Sequence, residues 1–77
     1  MQLKIISPEK IIYSGEAELI TLPGELGLFT ILDRHAPIIS ALKQGTLTYR
    51  TGGKDTEIAL ESGFVEAKEN VVSVCIE

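Results

Sequence analysis

The sequence predicts an all-β domain, and three observations carry that prediction. Apolar residues recur with a period of two, β-branched residues are abundant, and turn-forming residues separate the apolar runs at short intervals. Alternation of this kind sends one side chain inward and the next outward on a pleated strand. Val, Ile and Thr pack well on such a surface. Short strands with closely spaced turns read as a sandwich or barrel, in which two sheets bury one face each against the other.

The elements follow in order along the chain. In Gln2–Ile6, Leu3 and Ile5 share a face. Pro8 then separates this run from the next, which Gly15 interrupts. In Glu16–Leu22, Ala17 and Leu19 alternate with Glu16 and Glu18, and Pro23-Gly24 reads as the turn that follows. In Gly45–Arg50, Leu47 and Tyr49 alternate with Thr46, Thr48 and Arg50. Gly52-Gly53 then suits a tight hairpin, because both central residues tolerate positive φ. In Thr56–Leu60, Ile58 and Leu60 share a face with Thr56; in Gly63–Ala67, Val65 and Ala67 oppose Phe64 and Glu66. Glu69-Asn70 reads as another hairpin turn. In Val71–Ile76, Val72, Val74 and Ile76 oppose Val71, Ser73 and Cys75. Ala36–Gln44 fits two readings. Pro37 early, Lys43 late and Gly45 beyond the end suit a short helix, while Ile38–Leu42 equally suits a strand.

At 77 residues the chain is a single domain, residues 1–77. A domain of this size buries only about 60–65% of the surface its unfolded chain exposes, so its stability is marginal. A partner that binds the folded state alone would add to it. Hydrophobic residues make up 44% and charged residues 23%, the composition of a globular rather than a disordered chain. The net charge is -4. An acidic chain gains nothing from phosphate neutralisation, which argues against a nucleic-acid partner. Nor does a basic stripe exist to hold an anionic membrane surface. The single cysteine, Cys75, excludes an internal disulfide and a multi-cysteine zinc site; it reads as a small buried hydrophobe in the last strand, and its isolation points to a cytosolic compartment. No apolar run exceeds three residues, which excludes a membrane-spanning helix or a signal-peptide core among these residues. Any membrane association then goes through another protein.

Chemistry-bearing patterns are sparse. Asp33, His35 and Ser40 are the one grouping of triad residue types, but alternation along a strand would put Asp33 and His35 on one face and Ser40 on the other. No glycine-flanked serine elbow is present. Gly24-Glu25-Leu26-Gly27 lacks the Lys-Ser/Thr and following helix of a phosphate loop. It reads either as a tight bend or as a protruding tip that offers Glu25 and Leu26 to a partner. Lys54, beside Gly52-Gly53, raises the alternative of a small biotinyl- or lipoyl-type carrier domain with Lys54 as the modified residue. The methionine that typically flanks a biotinyl lysine is missing, and Lys54 reads more simply as a solvated turn residue.

Taken together, Ser7-Pro8-Glu9-Lys10 with Ser14-Gly15-Glu16, Gly24-Glu25-Leu26-Gly27, His35-Ala36-Pro37, Leu42-Lys43-Gln44-Gly45, Ser62-Gly63-Phe64-Val65-Glu66 and Asn70-Val71-Val72-Ser73-Val74 resemble, in order and spacing, the epsilon subunit of F-type ATP synthase. The resemblance covers nearly the whole chain. It implies a flattened β-sandwich of about ten short strands, and so favours a strand over Ile38–Leu42. It implies a noncatalytic rotor subunit of the central stalk, without cofactor, that binds the gamma subunit and the c-ring and couples ion-driven rotation to ATP synthesis. That places the chain peripherally on the cytoplasmic face of a bacterial inner membrane, with no direct insertion. Residue by residue, Glu25, Leu26 and Gly27 match the tip that meets the c-ring. Ser7, His35 and Ser40 match positions facing gamma, with Ile38 or Ile39 supplying apolar contact there. The turn before Gly24 is shorter than the family's usual loop. The residues end at Glu77, and the resemblance brings to them neither ATP binding nor the inhibitory C-terminal helices.

Overall fold

The computed structural model describes residues Met1–Glu77 as nine β-strands: β1 (Gln2–Ile6), β2 (Ile11–Glu16), β3 (Leu19–Gly24), β4 (Gly27–Leu32), β5 (Ile38–Leu42), β6 (Gly45–Thr51), β7 (Lys54–Leu60), β8 (Gly63–Lys68) and β9 (Val71–Ile76). Their pairing runs β2-β1-β9-β8-β5-β3-β6-β7, with β4 on the remaining edge of β3. Strands β4, β3, β6 and β7 form one layer, and β5, β8, β9, β1 and β2 the other. The layers join where Leu42 at the end of β5 pairs with Gly24 at the end of β3. One sheet thus curls over on itself into a flattened sandwich, nine strands where the resemblance implies about ten. The ambiguous Ile38–Leu42 segment is a strand, held along its length by β8 from Ile38↔Ala67 to Leu42↔Gly63.

The core is what the period-two reading selects. Leu3, Ile5, Leu47, Tyr49, Leu60, Val65, Ala67, Val72, Val74 and Ile76 are all buried, and no polar or charged side chain joins them. On the open side, the rings of Tyr13 from β2 and Tyr49 from β6 meet across the two layers, 4.5 Å between centroids.

Three expectations are corrected. The Glu16–Leu22 run is not one strand. The Ala17 N–H donates to the Met1 carbonyl and the Glu18 N–H to the Arg50 carbonyl, so the chain crosses between layers at this point. The crossing resets the phase, and Ile20 and Leu22 point inward while Leu19 is only half-buried. Pro23-Gly24 is not the turn: both close β3, and the turn is Glu25-Leu26. Cys75 is exposed; its neighbours Val74 and Ile76 take the core face of β9, which sends Cys75 to the other side.

Two hairpins are built on paired positive φ. Gly52 and Gly53 sit at 59° and 76°, and Glu69 and Asn70 at 53° and 61°. Glycines take that conformation freely, whereas the second pair needs support. Asn70 supplies it: its side-chain oxygen accepts the Arg34 N–H at 2.7 Å, and its carbonyl accepts the Gln2 N–H at 3.0 Å. The β8–β9 turn is thereby tied to the β4–β5 loop and to the start of β1.

Candidate functional site: a hairpin tip, an apolar groove and an apolar ladder

The β3–β4 hairpin closes with two residues, Glu25 and Leu26, between the paired Gly24 and Gly27. Neither flanking glycine is replaceable at no cost. A Cβ on Gly24 would lie 2.8 Å from the Phe29 ring, and Gly27 holds φ at +132°. The tight closure leaves Glu25 exposed and Leu26 wholly exposed, at 105% of its reference surface. A leucine in that position contributes nothing to the core.

Beside the tip runs a groove of about 450 Å³, lined by Gly24–Phe29 on one wall and Ile38–Ala41 on the other. Its walls are strands that converge where Gly24 meets Leu42 and are linked at the far end by the Asp33–Pro37 loop. The structure therefore brings Glu25, Leu26 and Gly27 together with Ile38 and Ser40, two sets that the sequence reading assigns to different partners. Ile38 leans on the core, half-buried, whereas Ile39 is 71% exposed. Ser40 points to the same face as Val65, its partner on β8, and its hydroxyl donates to the Ala41 carbonyl at 2.9 Å.

His35 is half-buried in the Asp33–Pro37 loop between β4 and β5. Its Nδ1 lies 2.9 Å from the Ala36 carbonyl, which only accepts, so Nδ1 carries the proton. Nε2 is enclosed without a partner. Asp33 is engaged elsewhere: its carboxylate accepts from the Met1 ammonium at 2.6 Å. That hydrogen bond, with the Asn70 side chain close by, holds the Asp33 carboxyl below the usual carboxylate range. Asp33, His35 and Ser40 thus each have their own local partner rather than one another. Ser7 lies apart from the groove, where its N–H donates to the Lys10 carbonyl and closes the β1–β2 turn. Lys54 is exposed but opens β7, paired with Thr51; the hairpin tip is Gly52-Gly53.

One feature of the surface escapes a reading that looks for core residues. On the outer face of the second layer, Ala41, Phe64, Cys75 and Ile6 are consecutive cross-strand partners on β5, β8, β9 and β1, and Ile11 continues the row on β2 past a bulge. With neighbouring strands about 4.8 Å apart, this ladder is about 19 Å long. Phe64 is 49% exposed, and Ala41, Cys75 and Ile11 are also exposed. The signal was present in the sequence: Phe64 and Cys75 occupy the outward phase of strands whose inward phase is already apolar.

Residues 1–77 match the family model described as the β-sandwich domain of the ATP synthase delta/epsilon chain. The ATP synthase epsilon chain of Leptospira borgpetersenii serovar Hardjo-bovis is 45% identical over 74 residues, which are 96% of this chain and 58% of the relative. That of Geobacter metallireducens is 38% identical over 77 residues, all of this chain and 56% of the relative. The chain thus spans little more than half the length of the curated relatives it matches. Among solved structures, a chain of the Euglena gracilis mitochondrial ATP synthase assembly of OSCP, F1 and c-ring has the same fold, with a TM-score of 0.90 at 23% identity over 96% of this chain and 48% of that one. A chain from the Tetrahymena thermophila mitochondrial ATP synthase central stalk and c-ring gives 0.83 at 17% identity, over 99% and 62%. From the match along every residue, and from relatives well above 30% identity over nearly all of it, the chain belongs to the epsilon-chain family of ATP synthase, as its β-sandwich domain.

Proposed function

We propose that this domain is a noncatalytic coupling piece of the ATP synthase central stalk, which joins the gamma subunit to the c-ring so that ion-driven rotation of the ring reaches the catalytic head without slip. The observation that carries the reading is the wholly exposed Leu26, presented with Glu25 on a two-residue hairpin whose geometry is fixed by glycines on both sides. A side chain offered in this way is suited to a partner and to nothing within the fold. In this reading the tip, Glu25, Leu26 and Gly27, meets the c-ring, where Glu25 orients the encounter more than it adds affinity. The gamma subunit meets Ser7, His35, Ile38 and Ser40, of which Ile38 and Ser40 share the groove with the tip while Ser7 lies apart from it. The exposed Ile39 and the ladder through Phe64 and Cys75 supply the apolar area that a monomer seldom leaves uncovered. Torque transmission asks for stiffness, and a sheet that curls over on its own core, with six of its eight connections only two residues long, provides it. The domain would ride peripherally on the cytoplasmic face of the bacterial membrane, held there by its partners.

Calorimetry with recombinant gamma subunit tests this directly, with the wild type compared with His35→Ala and Glu25→Ala. Sub-micromolar binding that weakens for His35→Ala and not for Glu25→Ala supports the two-surface assignment. A folded chain that binds neither gamma nor the c-ring removes the proposal. A covalent mass increase at Lys54 on incubation with a biotin or lipoyl ligase would favour the carrier alternative instead.

A further inference from the structure

Asn70 belongs to neither proposed contact surface, yet the loop that carries His35 hangs on it. Residues 33–37 lie outside every strand, and none of the backbone–backbone hydrogen bonds of the turns and loops falls on them. Two other ties join this loop to its neighbours. The Asp33 carboxylate accepts from the Met1 ammonium at 2.6 Å, and the Arg34 N–H donates to the Asn70 side-chain oxygen at 2.7 Å. The second tie holds a costly conformation. Arg34 sits at φ 60°, a left-handed value that a non-glycine residue keeps only where its surroundings enforce it. Asn70 is itself firmly placed. It is at φ 61° in the β8–β9 turn, which Asn tolerates better than most residues, and its carbonyl accepts the Gln2 N–H at 3.0 Å. The residues after the loop do not depend on the tie, because β8 holds Ile38 through Ala67 and Ser40 through Val65. Of the residues proposed to face gamma, only His35 rides on the loop.

We infer that Asn70 is a positioning residue for partner binding: by fixing the Asp33–Pro37 loop in advance, it presents His35 to the gamma subunit in the conformation that the complex uses. The inference rests on the stalk reading above and adds to it the residue that sets one of its contacts. A loop that must be ordered at the moment of binding costs conformational entropy, and a loop already ordered does not. Apparent affinity scales with the fraction of molecules in the competent conformation, so a loop that holds it about one-tenth of the time binds about tenfold more weakly. The tip proposed to meet the c-ring is closed separately, between Gly24 and Gly27, and the tie does not touch it. The effect of Asn70 is therefore confined to one partner.

The variant Asn70→Gly isolates the tie, because glycine keeps the positive φ of the turn while the acceptor is lost. In the whole chain it is expected to speed exchange of the Arg34 amide at least about tenfold and to weaken binding of recombinant gamma subunit about tenfold, with c-ring binding unchanged. In a double-mutant cycle with His35→Ala the two changes are expected not to add: once His35 is gone, Asn70→Gly weakens gamma binding by less than about threefold. Asp33→Ala cuts the other tie without altering the β8–β9 turn, and is expected to weaken gamma binding in the same sense. A freed Arg34 amide with unchanged gamma affinity overturns the inference and leaves the stalk reading in place. Full additivity with His35→Ala overturns it too, as does an equal loss of c-ring binding, which would mark Asn70 as a residue of the general structure. If Asn70→Gly does not fold, Asp33→Ala decides, and unchanged gamma affinity in that variant overturns the inference. Failure of gamma to bind the folded wild type overturns the reading and the inference together.

Discussion

Leu26→Ala separates stability from binding more cleanly than any other change in this domain. Leu26 is wholly exposed on the β3–β4 turn, so its side chain buries nothing on folding and its loss changes the unfolding free energy by no more than an ordinary surface substitution, about 0.5 kcal/mol. In the proposed complex the same side chain is buried against the c-ring. The substitution removes the carbons beyond Cβ, and at about 0.8 kcal/mol per buried methylene-sized group their incomplete burial amounts to about 2 kcal/mol. That corresponds to about a thirtyfold rise in Kd. Interferometry against detergent-purified c-ring, with gamma subunit measured in parallel, gives the comparison. The expected result is weaker c-ring binding at constant melting temperature and near-constant gamma affinity. A marked fall in melting temperature would contradict the account of the tip as external to the fold, and unchanged c-ring affinity would remove Leu26 from the contact.

Other outcomes follow from the same geometry. Leu3→Ala empties a fully buried site and is expected to cost about 2–5 kcal/mol in a denaturant titration; a domain of this size holds roughly 4–12 kcal/mol in all, so much of the population unfolds on mild warming. Gly63→Ala places a methyl against the Cys75 carbonyl oxygen, where backbone has to give way, and should lower the unfolding free energy from a denaturant titration by about 1–3 kcal/mol. Arg50 bonds Asp55 across β6 and β7 at 2.7 Å and holds its carboxyl below the usual carboxylate range. A depressed folded-state pKa gives stability that is present above the unfolded pKa and lost as pH falls through the folded one. The pair is exposed, so the readout is the carboxyl carbon shift by NMR: titration below the usual range in the wild type, returning to it in Arg50→Ala.

The chain's local pattern determined most of the strands and the inward phase of five of them. Leu3 and Ile5, Leu47 and Tyr49, or Val72, Val74 and Ile76 leave no other face to bury, because a one-residue slip would expose the entire set. Turn chemistry at Gly52-Gly53 and Glu69-Asn70 was equally legible, since positive φ demands particular residues or particular support. The order of motifs along the chain carried the family. Local pattern failed where a segment's role depends on which layer it joins. Ala17 and Glu18 look like the middle of a strand, yet their N–H groups bond to Met1 and Arg50 in different layers, and only that crossing sets the phase of Ile20 and Leu22. Cys75 is an apolar residue that the sequence reading assigns to the core by type; its exposure follows from Val74 and Ile76, which already fill the inner face of β9. The groove is tertiary throughout. Nothing in Gly24–Phe29 or Ile38–Ala41 taken alone says that these segments line one groove, because that depends on which strands become neighbours, and neighbours are chosen by the whole sheet.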